Sequence, residues 1–274
     1  MNRTRERFAA LASGPDEDIN VAEAALLIAQ EEYPGLDITG YLARLDELAA
    51  GAQAGVCTRR TPAEQVAGLN RFLFTECGFK GNNKSYYDPR NSFLNEVIDR
   101  RTGIPITLSV VYCEVAQRLD LPVYGVGFPG HFLAKYVGDP EIIIDPFFGT
   151  IITLEECGKR IQGVYGREAR FDRRFLQVAT PREILVRMLS NLKQVYVERS
   201  DPLRALGCVD RILLLAPDTA RELRDRGILY QRLECYAAAL RDFERYLQLA
   251  PSDAAAQTIR ETLPELQRQA ASLQ

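Results

Sequence analysis

The chain has 274 residues, 46% of them hydrophobic and 26% charged, with a net charge of −3. That length makes one large domain or two ordinary ones, each able to bury a core. The charge balance leaves no basic footprint for nucleic acid or an anionic membrane, and the arginines are scattered among Asp and Glu as on a solvated surface.

The N-terminal stretch MNRTRERFAALASGPDEDIN is charged and lacks an apolar run, so it does not read as a secretory signal. No segment approaches the roughly 18–20 apolar residues needed to cross a bilayer. The expected location is cytoplasmic, and neither a membrane nor a nucleic acid is an expected partner. The six cysteines (Cys57, Cys77, Cys113, Cys157, Cys208 and Cys235) are widely spaced with no C-x-x-C pair. In a reducing compartment they read as free thiols. With one histidine, His131, and no cysteine cluster, no metal site is expected. No cofactor is expected either.

Residues 19–53 carry two amphipathic helical patterns broken at Pro34–Gly35, with apolar residues such as Tyr41, Leu42, Leu45 and Leu48 recurring at helical spacing. A further helix covers 61–76, opened by the cap and first-turn pair Thr61–Pro62. Residues 78–93, GFKGNNKSYYDPRNSF, are rich in Gly, Asn, Asp and Pro and read as loop. Asn91 or Ser92 is the expected cap of the helix FLNEVIDRR, and Gly103 its expected stop. The very apolar run IPITLSVVYCEVAQRLD reads as a buried helix of about four turns. After Leu121–Pro122 the pattern shortens to VYGVGF, HFLAKYV and EIIIDPF, which read as strands of a small antiparallel sheet. Residues 150–178 are less legible.

From Pro181 onward the pattern is helical and it repeats. Residues 224–252 follow residues 190–218 at an offset of 34, matching Tyr196 with Tyr230, Ala205 with Ala239, Arg211 with Arg245 and Pro217 with Pro251. That period is similar to the tetratricopeptide repeat. A trailing helix is expected at about 253–270. The expected segments are 1–55 (N-terminal helices), 56–178 (core) and 179–274 (repeats). Asp225 and Arg226 read as ties between repeats and core rather than as ligand groups.

His131 draws attention because any imidazole chemistry must use it. Asp145 lies on the next predicted strand, and a carboxylate beside an imidazole fixes its tautomer and stabilises the imidazolium. Both numbers are odd, so the two share a face only if the hairpin loop between them has an odd number of residues. A three-residue loop 138–140 or a five-residue loop 136–140 meets that condition, whereas a two-residue Asp139–Pro140 turn separates them. The loop residues Asn82, Asn83, Tyr86, Tyr87, Asp88 and Asn91 offer a second surface. They either line a groove above His131 or hold a long loop down as turn and cap residues.

The order of buried helix, leucine-proline turn, strand, His-Phe on a second strand and Asp-Pro on a third resembles the transglutaminase-like superfamily. The stretches YYDPRNSFLNEVIDRRTGIPITLSVVY, GVGFPGHFLAKY and IDPFFG, followed by RDRGILY in the repeats, are similar to its bacterial Sir-B type. The resemblance spans about residues 20–265. It implies a Cys–His–Asp triad with the cysteine at the buried helix's N-terminus, where the helix dipole lowers the thiol pKa. His131 and Asp145 match their positions. The cysteine position falls at Pro105–Thr107, where no thiol stands. Cys113 lies on the same helix about 10 Å further along, and Cys77 precedes the Asn-rich loop. Both are weak substitutes. Thr107 and Ser109 lie near the right place, where a hydroxyl reads as a cap or a back-bond to the helix.

The expected fold is therefore α+β: a papain/transglutaminase-like core, with a central helix on a small antiparallel sheet, N-terminal helices and a C-terminal helical repeat segment. Two functions follow from the residues taken with what the resemblance implies. One is a non-catalytic interaction or regulatory module that binds a protein or peptide through the repeats or the groove at His131. The other is a thiol enzyme (transglutaminase, amidase or peptidase) using Cys77 or Cys113 with His131 and Asp145.

Overall fold

The computed structural model describes residues 3–272. The chain forms two compact units, Met1–Met188 and Leu189–Gln274.

The first unit opens with α1 (Arg3–Ala12), α2 (Val21–Glu32) and α3 (Ile38–Val56). The Pro34–Gly35 break separates α2 from α3, and Asn20 and Asp37 cap the two helices by accepting from the backbone N–H of Glu23 and Gly40. Helix α4 (Pro62–Asn70) starts from a capping box between Thr61 and Glu64 with proline in its first turn, and a π-type stretch extends it over Arg71–Glu76.

The next segment departs from expectation at both ends of α5 (Leu94–Arg100). Its N-cap is Phe93, with no side-chain bond, instead of Asn91 or Ser92. Asn91 is fully buried and turned inward, where it holds the preceding loop. The helix stops before Gly103: Arg101 takes the left-handed conformation at φ 55°. Tertiary contacts hold it there. Arg101 Nη1 donates to Cys77 O at 2.8 Å, and the guanidinium lies over the Phe79 ring at 5.2 Å. Gly103 is left to pair in a short parallel ladder of β1 (Lys80–Gly81) with β2 (Thr102–Gly103).

Helix α6 (Pro105–Arg118) is the central element. Residues Pro105 to Cys113 are buried without a break, so it shows no polar stripe. Four strands lie in the order β3 (Val123–Val126), β4 (Leu133–Tyr136), β5 (Ile142–Asp145) and β6 (Thr150–Ile152), all antiparallel. Strand β6 and helix α7 (Leu154–Tyr165) fall in the stretch where the sequence pattern was faint. The start of α7 did carry a signal, because Thr153 and Glu156 form a capping box.

Helix α8 (Pro181–Glu198) leads into the second unit, which continues with α9 (Pro202–Leu215), α10 (Ala220–Arg232), α11 (Tyr236–Leu249) and α12 (Ala256–Ser272). Helices α9 and α11 start and end 34 residues apart, as the internal repeat requires. The polar groups of RDRG bond to other repeat helices. Arg226 bridges Asp242 on α11 and Asp210 on α9, and Asp225 accepts from Lys193 on α8. These residues therefore hold the repeats to one another, instead of to the core.

Candidate functional site

The site begins with two turns. Pro129–Gly130 reverses the chain ahead of β4, with Gly130 at φ +70°, a conformation that glycine adopts without a Cβ penalty. His131 follows at once, its N–H bonded to Phe128 O at 3.0 Å. At the far end of β5, Asp145 opens the turn DPFFG: Gly149 N–H reaches Asp145 O at 2.8 Å, and Phe147 N–H donates to Asp145 Oδ1 at 3.0 Å. That side-chain-to-backbone bond is an Asx-turn, and it fixes the carboxylate.

The β4–β5 register pairs Tyr136 with Ile142 and Ala134 with Ile144. The intervening loop is the odd-numbered stretch 137–141, and the register is the one that a 138–140 loop gives. His131 and Asp145 lie on one face as diagonal neighbours, and His131 Nε2 is 3.1 Å from Asp145 Oδ1.

A third group completes the arrangement. Arg160, on α7, donates from Nη1 to Asp145 Oδ2 at 2.6 Å. Asp145 is fully buried, yet both its oxygens are satisfied, so the charge is compensated where it sits. Burial pushes the Asp145 carboxyl up, but the bonds and charges of His131 and Arg160 outweigh it and hold the group below its ordinary value. An ionised carboxylate only accepts, so Nε2 of a neutral His131 carries the hydrogen and Nδ1 keeps the lone pair. The imidazole packs edge-on to Phe147 at 6.0 Å and stacks on Phe148 at 6.3 Å, and Arg160 lies over Phe148 at 5.8 Å. The sequence offered a route to Arg160, because the Thr153–Glu156 box starts the helix that carries it.

The six loop and helix residues expected near a groove divide. Tyr86 packs against Phe147 at 6.4 Å and against Tyr87 at 5.3 Å, and both tyrosines are exposed, at 41% and 57%. Asn82 is tied into the loop: Nδ2 donates to Asn91 Oδ1, and Oδ1 accepts from Ser85 N–H. Asp88 caps the turn at Pro89–Asn91 and pairs with Arg90. Asn91 and Thr107 reach no surface. Asn91 donates to the carbonyls of Ser85 and Tyr86, and Thr107 donates to Asn91 O at 2.8 Å while accepting from Ile104 N–H at 3.2 Å. The polar atoms of this loop fold it, and the surface beside His131 is aromatic.

At the tip of α6 stand Pro105, Ile106 and Thr107, none of them a thiol. Cys113 is buried, and burial pushes its thiol well up. Cys77 is half-buried; burial raises its thiol and the nearby Arg101 only partly opposes that. Cys157, on α7, is close enough to feel the Asp145 charge, but it is sealed in the core among Val126, Phe128 and Leu133. Among the described residues no sulfur lies within hydrogen-bond reach of the His131 ring, and no group of three or more His, Cys, Asp or Glu could hold a metal ion. The arrangement can accept a proton or a hydrogen bond at His131 Nδ1, and nothing at the helix tip supplies the nucleophile of a covalent acyl transfer.

Residues 39–190 match the family model of the transglutaminase-like superfamily. The chain belongs to that superfamily. Residues 192–264 match the tetratricopeptide repeat. The UPF0162 protein of Xylella fastidiosa (strain Temecula1) is 44% identical over 254 residues, which cover 88% of each chain. The UPF0162 protein of Pseudomonas aeruginosa is 35% identical, covering 83% of this chain and 84% of that one. The UPF0162 protein YchA of Escherichia coli (strain K12) is 28% identical, with 84% and 86% covered. This transglutaminase-like protein thus carries a repeat segment behind its core. Among the described residues no helix is long and apolar enough to cross a membrane.

Proposed function

We infer that the protein is a non-catalytic interaction module of the Sir-B type, working in the cytoplasm. In this reading the transglutaminase-like core keeps His131 and Asp145 as a binding pair, and the repeats present a second surface to a protein partner. One observation supports it above the others: the helix tip where the family places its cysteine has no sulfur, and the hydroxyl nearest to it, on Thr107, is buried and fully engaged. A ligand at the site meets Nδ1 of His131 and the exposed rings of Phe148, Tyr86 and Tyr87, a surface suited to an extended peptide with apolar side chains.

Thiol labelling resolved by site tests the reading, with wild type compared against His131→Ala. The exposed Cys57 and Cys235 should label first, and every rate should be the same in the two proteins. A thiol that reacts fast at neutral pH and slows tenfold or more in His131→Ala, together with amine incorporation into a glutamine peptide, would restore a thiol enzyme working through Cys77 or Cys113.

A further inference from the structure

The surface beside His131 is cationic as well as aromatic. Its rings form one connected cluster. Tyr87 packs against Tyr86 at 5.3 Å, Tyr86 against Phe147 at 6.4 Å, and Phe147 against both Phe148 at 5.0 Å and the His131 imidazole at 6.0 Å. Phe147 is the buried centre of the cluster, and Phe148, Tyr86 and Tyr87 are its exposed rim. Exposed aromatic rings gathered in one place are the mark of a contact surface, because each offers a large, stiff area at little cost in side-chain entropy. A ligand can also reach the polar atom at the centre. The His131 side chain is 17% exposed, and Nδ1 has no partner among the described residues and is not sealed from solvent.

The charge comes from Arg187 on α8. Desolvation raises the Tyr86 hydroxyl above its ordinary value, and the Arg187 charge opposes that, so the guanidinium lies near the outer end of the ring. Arg187 is half-buried, and no described carboxylate pairs with it. The Tyr86 hydroxyl also bonds to no described residue. The acids of the neighbouring segments are engaged elsewhere. Asp145 is held by Arg160, and Asp88 by Arg90. Glu183, on the same helix as Arg187, turns back to the helix start, where it accepts from Thr180 N–H at 2.9 Å. Lys84, exposed on the loop that carries Tyr86, is a second cation with no described partner. The aromatic surface is therefore bordered, on its Tyr86 side, by an uncompensated positive charge and a phenolic donor that can both serve one anion.

We propose that the His131 surface binds an acidic peptide segment of a protein partner. A carboxylate side chain of the partner lies between Arg187 and the Tyr86 hydroxyl, an aromatic or apolar side chain packs on Phe148, and a backbone N–H donates to Nδ1 of His131. This rests on the interaction module inferred above and adds the charge of the ligand that the module takes.

The probes are acetylated, amidated peptides in which phenylalanine and glutamate stand one to three alanines apart, each with a glutamine and a lysine counterpart. They are titrated into the full-length protein and followed by calorimetry and ligand-observed NMR. The best glutamate peptide should bind at least about threefold more tightly than its glutamine counterpart and at least about tenfold more tightly than its lysine counterpart. That preference should shrink between about 50 mM and about 500 mM salt. Arg187→Gln should bring the glutamate and glutamine peptides to equal affinity. Tyr86→Phe, which keeps the ring, should narrow the gap between them. Phe148→Ala, at an exposed position, should weaken both peptides alike by about threefold or more. The comparison among the three peptides needs only the wild type, so it stands even if a variant folds poorly. Equal binding of the glutamate and glutamine peptides, or a glutamate preference unchanged in a folded Arg187→Gln, would overturn the acidic ligand and leave a peptide-binding module standing. No binding of any peptide up to about 10 mM would also overturn it, and the thiol-labelling comparison would decide the module separately.

Discussion

At the scale of single residues, the buried Asp145 carboxylate joins three chain segments: the turn before β4, its own Asx-turn and the middle of α7. Because its folded pKa lies below that of an unfolded aspartate, its ionisation favours the folded state at every pH above the unfolded value. That contribution is lost as pH falls through the folded value, so it belongs to the acid limb, below about pH 4. Asp145→Asn is expected to cost about 1–3 kcal/mol at neutral pH, since His131 and Arg160 each lose a charged acceptor. Its stability should also vary less than wild type between about pH 4 and pH 2. Urea unfolding at a series of pH values measures both effects, and an unchanged acid limb would show that the carboxylate is not ionised in the fold. Arg160→Gln should move the acid limb upward in pH, because one of the two side chains holding the carboxyl down is gone.

At the scale of elements, close approaches make sharper predictions than helix propensity does. In α10, a Cβ on Gly227 would lie 2.5 Å from the Phe243 ring of α11, and that ring is fully buried. Gly227→Ala should therefore destabilise the repeat unit by about 1–3 kcal/mol, although alanine is the better helix former. Gly68 of α4 faces the backbone of α3, where an added Cβ would meet Gly55 O at 2.5 Å; a carbonyl in a helix cannot swing aside as a ring can. Thr61→Ala is a milder case, expected to cost about 1 kcal/mol through the lost capping box. Thermal melts of Gly227→Ala, Gly68→Ala and Thr61→Ala should rank Thr61→Ala as the least damaging. Helix α5 depends on such close contacts at both ends. Its start and stop are set by what Asn91 and Arg101 touch across the fold, and a local cap or glycine rule does not contain those contacts.

Across the whole molecule, the two units are held together internally by different means. The first is organised around a largely apolar helix, α6, whose residues from Pro105 to Cys113 are all buried. The second repeats an amphipathic pair, and its helices are joined by buried ions: Lys193 Nζ lies 2.8 Å from Glu222 and 2.8 Å from Asp225, and Lys193 and Glu222 are both buried. Lys193→Met would leave Glu222 buried without a cation and should cost about 3–5 kcal/mol, read as a lower melting midpoint. A double change of Lys193→Met with Glu222→Leu should recover much of that loss, because the desolvation penalty of the pair disappears with it.

The sequence by itself determined the elements whose signals are local and periodic. These are the helix breaks at Pro34–Gly35, the capped start at Thr61, the run of α6, the strand pattern after Leu121 and the 34-residue repeat, whose apolar and proline positions recur in register. The condition for His131 and Asp145 to share a face, an odd loop, could be stated in advance because facing alternates strictly along a strand, and the register decided that it is met. Only the tertiary structure decided that Arg160 reaches Asp145 from a helix fifteen residues away, and that Asn91 and Thr107 turn inward. Those outcomes depend on which distant groups are left near one another once the core has closed, and a buried polar atom takes whichever partner packing brings within about 3 Å.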